Sequence, residues 1–319
     1  MKRKDIIYVL IVGILAPWLV IGAFELIHEH PESCSLPIMD SIPMVTDIIE
    51  SVSISVFNGE ENMEMALEDY IAGVLLGELP ENFSMEAKKA QAIVARTYAL
   101  RITTGYAKHT ANAVCTDPGC CQGFVSPADY HGTEKGVEEA MAAAQATAGM
   151  VLVYNGNLIE ATYFSCSGGQ TEDAVAVWGT DVPYLRSVES PGEEFATHYT
   201  DTVTYTLAEF LRLLNIVNLP SGVPLLGEIE HTAGGGVASL QIAGQTFAGT
   251  QIRNVLGLRS TAFTMSQIGS NVIITTRGYG HRVGMSQYGA EAMAVSGCTF
   301  EEILSHYYQG TELVNFVGQ

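Results

Sequence analysis

The chain is 319 residues long, room for one large domain or two ordinary ones, and 47% of it is hydrophobic, which excludes an intrinsically disordered protein. Fifteen Lys and Arg stand against 35 Asp and Glu, a net charge of −20, which argues against a surface that tracks nucleic-acid phosphates. The 32 glycines follow no collagen or helical-repeat period and imply many tight turns.

From Ile6 to Phe24 the chain carries nineteen residues without a formal charge. At about 1.5 Å per residue that nearly spans a bilayer core of about 30 Å. Lys2, Arg3 and Lys4 precede it, and the positive-inside rule keeps that flank cytoplasmic. The expected organisation is a cytoplasmic tail at 1–5, a transmembrane anchor at 6–27, a stalk at 28–50 punctuated by Pro31, Pro37 and Pro43, and a folded domain at 51–319. A cleaved signal peptide is the alternative, with Ile21-Gly22-Ala23 a weak small-x-small site. Both readings make the folded part extracytoplasmic.

Strict alternation over 51–57 predicts a half-buried strand. Apolar residues at helical spacing predict a helix over 64–76, stopped by Pro80, and Ser84 is expected to cap an alanine-rich helix over 85–103. A second alanine-rich helix is predicted over 134–147. Strands at 151–154 and 158–164 flank Asn155-Gly156, a strong hairpin signal. Between about 191 and 269 a helix at 207–215, a Gly-Gly-Gly turn at 234–236 and an alternating stretch at 239–242 read as a smaller inserted lobe. A strand at 272–276 and a closing helix at 299–308 follow. No sustained strand-helix alternation is present, so the predicted fold class is α+β.

Glu78 stands at the end of the first helix among Val74, Leu75, Leu76 and Leu79. Apolar neighbours disfavour a carboxylate and raise its pKa, as a general acid needs; an ordinary helix-end surface acid is the alternative. Lys89 and Arg96 are seven residues apart, hence nearly on one helix face, where they either meet Glu78 and a substrate carboxylate or form a solvated charged face. Ser165, Ser167, Gly168 and Gly169 offer hydroxyls and N–H groups to a sugar, and Gly278, Gly280 and Gly284 leave room for one beside His281, Ser286, Gln287 and Tyr288. Tight turns and a structural histidine are the plain alternatives. Of the six cysteines, Cys115, Cys120 and Cys121 fall within seven residues, near His109. Imidazole and thiolates suit zinc, while an oxidising outer space suits a disulfide from Cys115 to Cys120 or Cys121, and free thiols are the third option.

Three segments say more: V-L-L-G-E-L-P-E-N-F-S-M-E-A-K-K-A-Q-A-I-V-A-R-T-Y-A-L at 74–100, Y-F-S-C-S-G-G-Q-T-E at 163–172 and G-Y-G-H-R-V-G-M-S-Q-Y-G-A at 278–290. Together, and in this order, they resemble the SpoIID/LytB family in its sporulation-protein-D branch, across essentially the whole folded region. The resemblance implies a SpoIID-like extracytoplasmic domain behind a single transmembrane helix, in the engulfing membrane on the mother-cell side. It implies a lytic transglycosylase that cleaves the MurNAc-GlcNAc bond of denuded peptidoglycan strands and leaves 1,6-anhydro-MurNAc ends, in complex with stage II sporulation proteins P and M. The family's catalytic glutamate falls on Glu78, and a zinc site of the branch falls on His109, Cys115 and Cys121, followed by Gln122. Two departures stand out: Cys166 where the family has Thr, and Arg282 where it has Gly.

The three motifs contain no second acid suited to be a nucleophile. A lytic transglycosylase needs none, because the 6-hydroxyl of muramic acid attacks the anomeric carbon and one carboxyl group serves as acid and then base. The competing reading is a glycan-binding activator of a cell-wall amidase, with no chemistry of its own; a zinc hydrolase lacks a motif such as His-Glu-x-x-His.

Overall fold

The computed structural model describes residues 52–106 and 108–316; the anchor and stalk readings at 6–27 and 28–50 lie outside them. Among the described residues, no helix is long and apolar enough to cross a membrane. Helices and strands are mixed, as an α+β fold requires. The helices are α1 (Leu67–Glu78), α2 (Met85–Thr103), α3 (Glu134–Ala146), α4 (Ala174–Trp178), α5 (Leu207–Leu213), α6 (Gly249–Val255), α7 (Gln287–Val295) and α8 (Phe300–Tyr307).

The domain opens on a hairpin in which Ser53–Phe57 pairs antiparallel with Asn62–Ala66. Asn58 Oδ1 closes its turn by accepting from the N–H groups of Glu60 and Glu61. Residues 64–66, expected to be helical, are thus strand. A partner strand satisfies their backbone groups, which the first turn of a helix would leave open. Helix α2 forms where predicted and is buried on nearly every side, packing against α1, α3, α7, α8 and the strand Met150–Tyr154. Its alanines permit that crowding, since small side chains let helix axes approach. Ser84 does not cap α2 by accepting; its N–H and Oγ both donate to Glu291 of α7, which brings a carboxylate to the positive end of α2.

The predicted hairpin at 155–156 forms, with both residues at positive φ. The predicted strand at 158–164 is broken: Asn157–Leu158 completes the hairpin, while Tyr163–Phe164 pairs parallel with Met285–Ser286. That parallel pair brings two of the three sequence motifs side by side.

A second hydrophobic core, built on Phe210, Leu240, Phe247, Ile252, Val272 and Ile274, lies apart from the first. Two three-stranded antiparallel sheets surround it. The strand Asn271–Arg277, read from the sequence as standing outside the lobe, is the middle strand of one of these sheets, between Phe263–Ile268 and Thr200–Thr206. Arg282 helps to join the two cores. It is buried, with φ +67°, and donates through Nε to Ser167 O at 2.7 Å, through Nη1 to Glu172 Oε1 at 3.1 Å, and through Nη2 to Gln170 O and Gly234 O at 2.7 Å each. Arg282 therefore does not crowd a sugar; it clasps the 232–236 turn of the second core to the 167–172 segment.

Candidate active site

Glu78 is the last residue of α1 and is half-buried on the wall of a cleft of about 640 Å3. Oε1 accepts the Gly123 N–H at 2.6 Å, and Oε2 accepts from Gln287 Nε2 at 3.4 Å. The Tyr163 hydroxyl bonds to the same carboxylate and also accepts from Gln122 Nε2, whose Oε1 in turn takes the Tyr70 hydroxyl. Burial raises the Glu78 pKa above the usual carboxylate range, and the Gly123, Gln287 and Tyr163 hydrogen bonds only partly offset it. None of these partners is a cation.

Segment 122–125 reaches Glu78 because α1 has glycines on that side. A Cβ at Gly73 would stand 2.1 Å from the Phe124 ring, and one at Gly77 would stand 2.8 Å from the Gly123 backbone. Val125 N–H then donates to Gly73 O, laying the segment along the helix.

Upstream of this segment lies the cysteine cluster. Cys115 is set by the parallel pairing of Val114–Cys115 with the first strand, and the His109 ring stacks on Phe57 at 5.7 Å. The Asp117 carbonyl accepts the N–H groups of both Cys120 and Cys121, turning those thiols back toward the histidine. Ligand atoms of His109, Cys115, Cys120 and Cys121 lie within 4.8 Å of one another. The three thiols are unpaired. One imidazole and three thiols, converging without a disulfide, suit a tetrahedral thiophilic metal. The family resemblance pointed to His109, Cys115 and Cys121; the fold adds Cys120, so the protein itself offers four potential ligands.

Of the remaining sequence-predicted residues, Ser165, His281 and Gln287 line the same cleft as Glu78. His281 is held inward: Nδ1 accepts the Val283 N–H, the ring packs against Phe164 and Trp178, and burial pushes its pKa down to about 4, so it is neutral at pH 7. Others lie elsewhere. The fork of Arg96 is fully buried and taken by Glu68, with further bonds to Ala144 O, Thr147 Oγ1 and Met150 O. Lys89 pairs with Glu86 on its own helix and sits over the Phe300 ring. Neither lines the cleft, because neighbouring carboxylates and carbonyls claim both cations.

The serine-glycine turn is likewise occupied. Buried Glu193 accepts from Ser167 N–H, Ser167 Oγ and Gly168 N–H, and Gly169 N–H goes to Ser167 Oγ. Ser286 caps α7, and Tyr288 packs against Phe83 and Phe195. The motif glycines serve the chain's own packing: a Cβ at Gly280 would stand 2.7 Å from Phe164 Cβ, and one at Gly284 would stand 2.1 Å from Thr162 O.

Sequence reasoning passed over Gln122, Gly123 and Tyr163, although Tyr163 opens one quoted motif and Gln122 follows the last cysteine. It also passed over Glu160, a second carboxylate on the cleft wall, which belongs to no motif.

Residues 58–154 match a family model described as SpoIID, stage II sporulation protein. The chain is 37% identical over 298 residues to stage II sporulation protein D of Bacillus subtilis (strain 168), covering 90% of this chain and 84% of that protein. It belongs to the SpoIID family. Stage II sporulation protein D of Bacillus amyloliquefaciens is 38% identical over 258 residues, 77% of this chain and 74% of its own. An amidase enhancer of Bacillus subtilis (strain 168) is more distant, 28% identical over 299 residues, which is 77% of this chain and 40% of the enhancer. The relationship assigns the chain to sporulation and is compatible with lytic action on the cell wall.

Proposed function

We propose that the chain is a lytic transglycosylase of peptidoglycan glycan strands, with Glu78 as its acid and base. The observation that carries this reading is the setting of Glu78: a half-buried carboxyl group with a raised pKa, gripped by neutral donors and facing a cleft wide enough for sugars. Glu78, protonated, gives its proton to the glycosidic oxygen as the bond from that oxygen to the muramoyl anomeric carbon breaks. The carboxylate so formed takes the proton of the muramoyl 6-hydroxyl, whose oxygen bonds to the same carbon. Atoms balance without water, Glu78 is reprotonated, and the product is a 1,6-anhydro sugar. Gly123 N–H, Gln287 and Tyr163 hold the carboxyl group in place between the two transfers.

His109, Cys115, Cys120 and Cys121 would hold zinc, which when bound closes the loop covalently as a structural site. Gln122 and Gly123 directly follow the last ligand, so this chain's own loop, once fixed, carries a donor to Glu78. The reading extends to an anchor at 6–27 and a stalk at 28–50 that present the domain outside the cytoplasm, and to denuded strands as substrate with stage II sporulation proteins P and M as partners.

Mass spectrometry of glycan fragments after incubation with the protein tests the chemistry. Anhydro ends are expected, and Glu78→Gln should abolish them. Because Glu160 shares the cleft, hydrolysis with ordinary reducing ends is the outcome that overturns the transglycosylase. The similarity to an amidase enhancer supports a second reading, a glycan-binding activator; it predicts no cleavage by this chain alone and a faster amidase in its presence.

A further inference from the structure

Single large apolar side chains on a surface are ordinary, but those that gather on the wall of a cleft mark a place where a ligand can cover them. Among the described residues, two that are more than a third exposed also line the Glu78 cleft: Trp178, 42% exposed, and Tyr279, 40% exposed. Neither ring is loose. Trp178 is the last residue of α4, which stops at Gly179 in the left-handed region, φ +74°, and its ring packs at 5.4 Å against the half-buried His281. Tyr279 exchanges backbone hydrogen bonds with Cys166 in both directions, at 2.8 and 3.2 Å. Its ring meets His198 edge-on at 5.6 Å, and the Arg259 guanidinium lies over it at 5.1 Å.

Two rings that are rigidly backed yet open to a cleft suit a pyranose, whose axial C–H face is apolar while its hydroxyls stay wet. A backed ring loses little side-chain entropy when a sugar lands on it. We propose that Trp178 and Tyr279 are the stacking platforms that hold sugar rings of the glycan in the cleft, binding residues distinct from the acid. This rests on the carbohydrate reading above and assigns its subsites.

Residue content supplies the probe. The chain has two tryptophans, Trp18 and Trp178. In the full chain carrying Trp18→Phe and Glu78→Gln, Trp178 is the single tryptophan and glycan is not consumed. Titration with purified denuded glycan oligosaccharides should change its emission saturably. Trp178→Ala and Tyr279→Ala, followed by retention on glycan with circular dichroism to confirm the fold, should each weaken binding about tenfold or more, whereas Trp178→Tyr and Tyr279→Phe should stay within about threefold of the parent. Unchanged binding in both alanine variants overturns the platforms and leaves the function standing. A parent that neither responds nor retains glycan overturns the carbohydrate reading itself.

Discussion

Helix α1 carries two glutamates, Glu68 in its first turn and Glu78 at its end, and their surroundings differ completely. Glu68 receives both arms of Arg96, at 3.0 and 2.5 Å, and its charge is neutralised. Glu78 receives an amide N–H, a carboxamide and a phenol, and no cation. A guanidinium favours the carboxylate and fixes it as a structural ion pair; neutral donors and burial leave a carboxyl group able to hold a proton and release it. The same residue type on one helix is thus a fastener at one end and a protonatable group open to a cleft at the other.

The largest effect is expected where the difference is greatest. Glu78→Gln should lower anhydro-sugar release by about 10²- to 10⁴-fold, the usual loss on removing general acid-base catalysis. Stability should move the other way. A carboxyl group whose folded pKa is raised stabilises fully below the unfolded pKa of about 4.3, and that contribution is lost as pH rises through the folded value. Glu78→Gln should therefore melt no lower than the parent at pH 5 and gain on it as pH rises to 8, by differential scanning calorimetry; a variant that falls below the parent at pH 8 contradicts the raised pKa.

At the other end, Arg96→Lys keeps the charge but leaves several buried acceptors without donors, costing on the order of 3 kcal/mol. For a domain of this size that lowers Tm by roughly 10 °C. Turnover per folded molecule should hold, as Arg96 is outside the cleft; a large fall in turnover at unchanged Tm would return it to the substrate.

The cysteine loop lies between these extremes. Elemental analysis should find about one zinc per chain, and Cys120→Ser, not only Cys115→Ser or Cys121→Ser, should weaken metal binding about tenfold or more. Retention of metal by Cys120→Ser at parental affinity would restrict the ligands to the other three residues.

Tyr163→Phe is the mildest change. Losing one hydrogen bond to the carboxylate raises the Glu78 pKa further, so the alkaline limb of the pH–rate profile should move to higher pH while the maximal rate falls about 3- to 10-fold. A limb that stays in place would detach Tyr163 from the acid.

Much of the helical framework was legible because α3 and α8 bury apolar or small residues at the helical period and α2 is rich in helix-forming alanine, both of which are properties of the chain. The strand at 64–66 was not, since a strand partner outcompeted the helical pattern there. Motif residues told the same story more sharply. Glu78 could be singled out from its apolar neighbours, and a cysteine cluster from its density. Which cations reach a carboxylate depends on segments distant in sequence, and which thiols converge depends on how their loop turns back on itself.

The sequence by itself determined the acidic, well-cored α+β character and the family, and it singled out Glu78 as a candidate, because composition, periodicity and ordered motifs are local quantities. Only the tertiary structure decided that Arg96 serves Glu68, that Cys120 joins the cluster of His109, Cys115 and Cys121, that Glu193 and Arg282 occupy the serine-glycine turn, and that Gly123 and Tyr163 reach Glu78. Apart from the cysteine loop, each of these is a pairing across tens of residues, and a buried polar group takes whichever partner the packing brings within about 3 Å, which no spacing along the chain encodes.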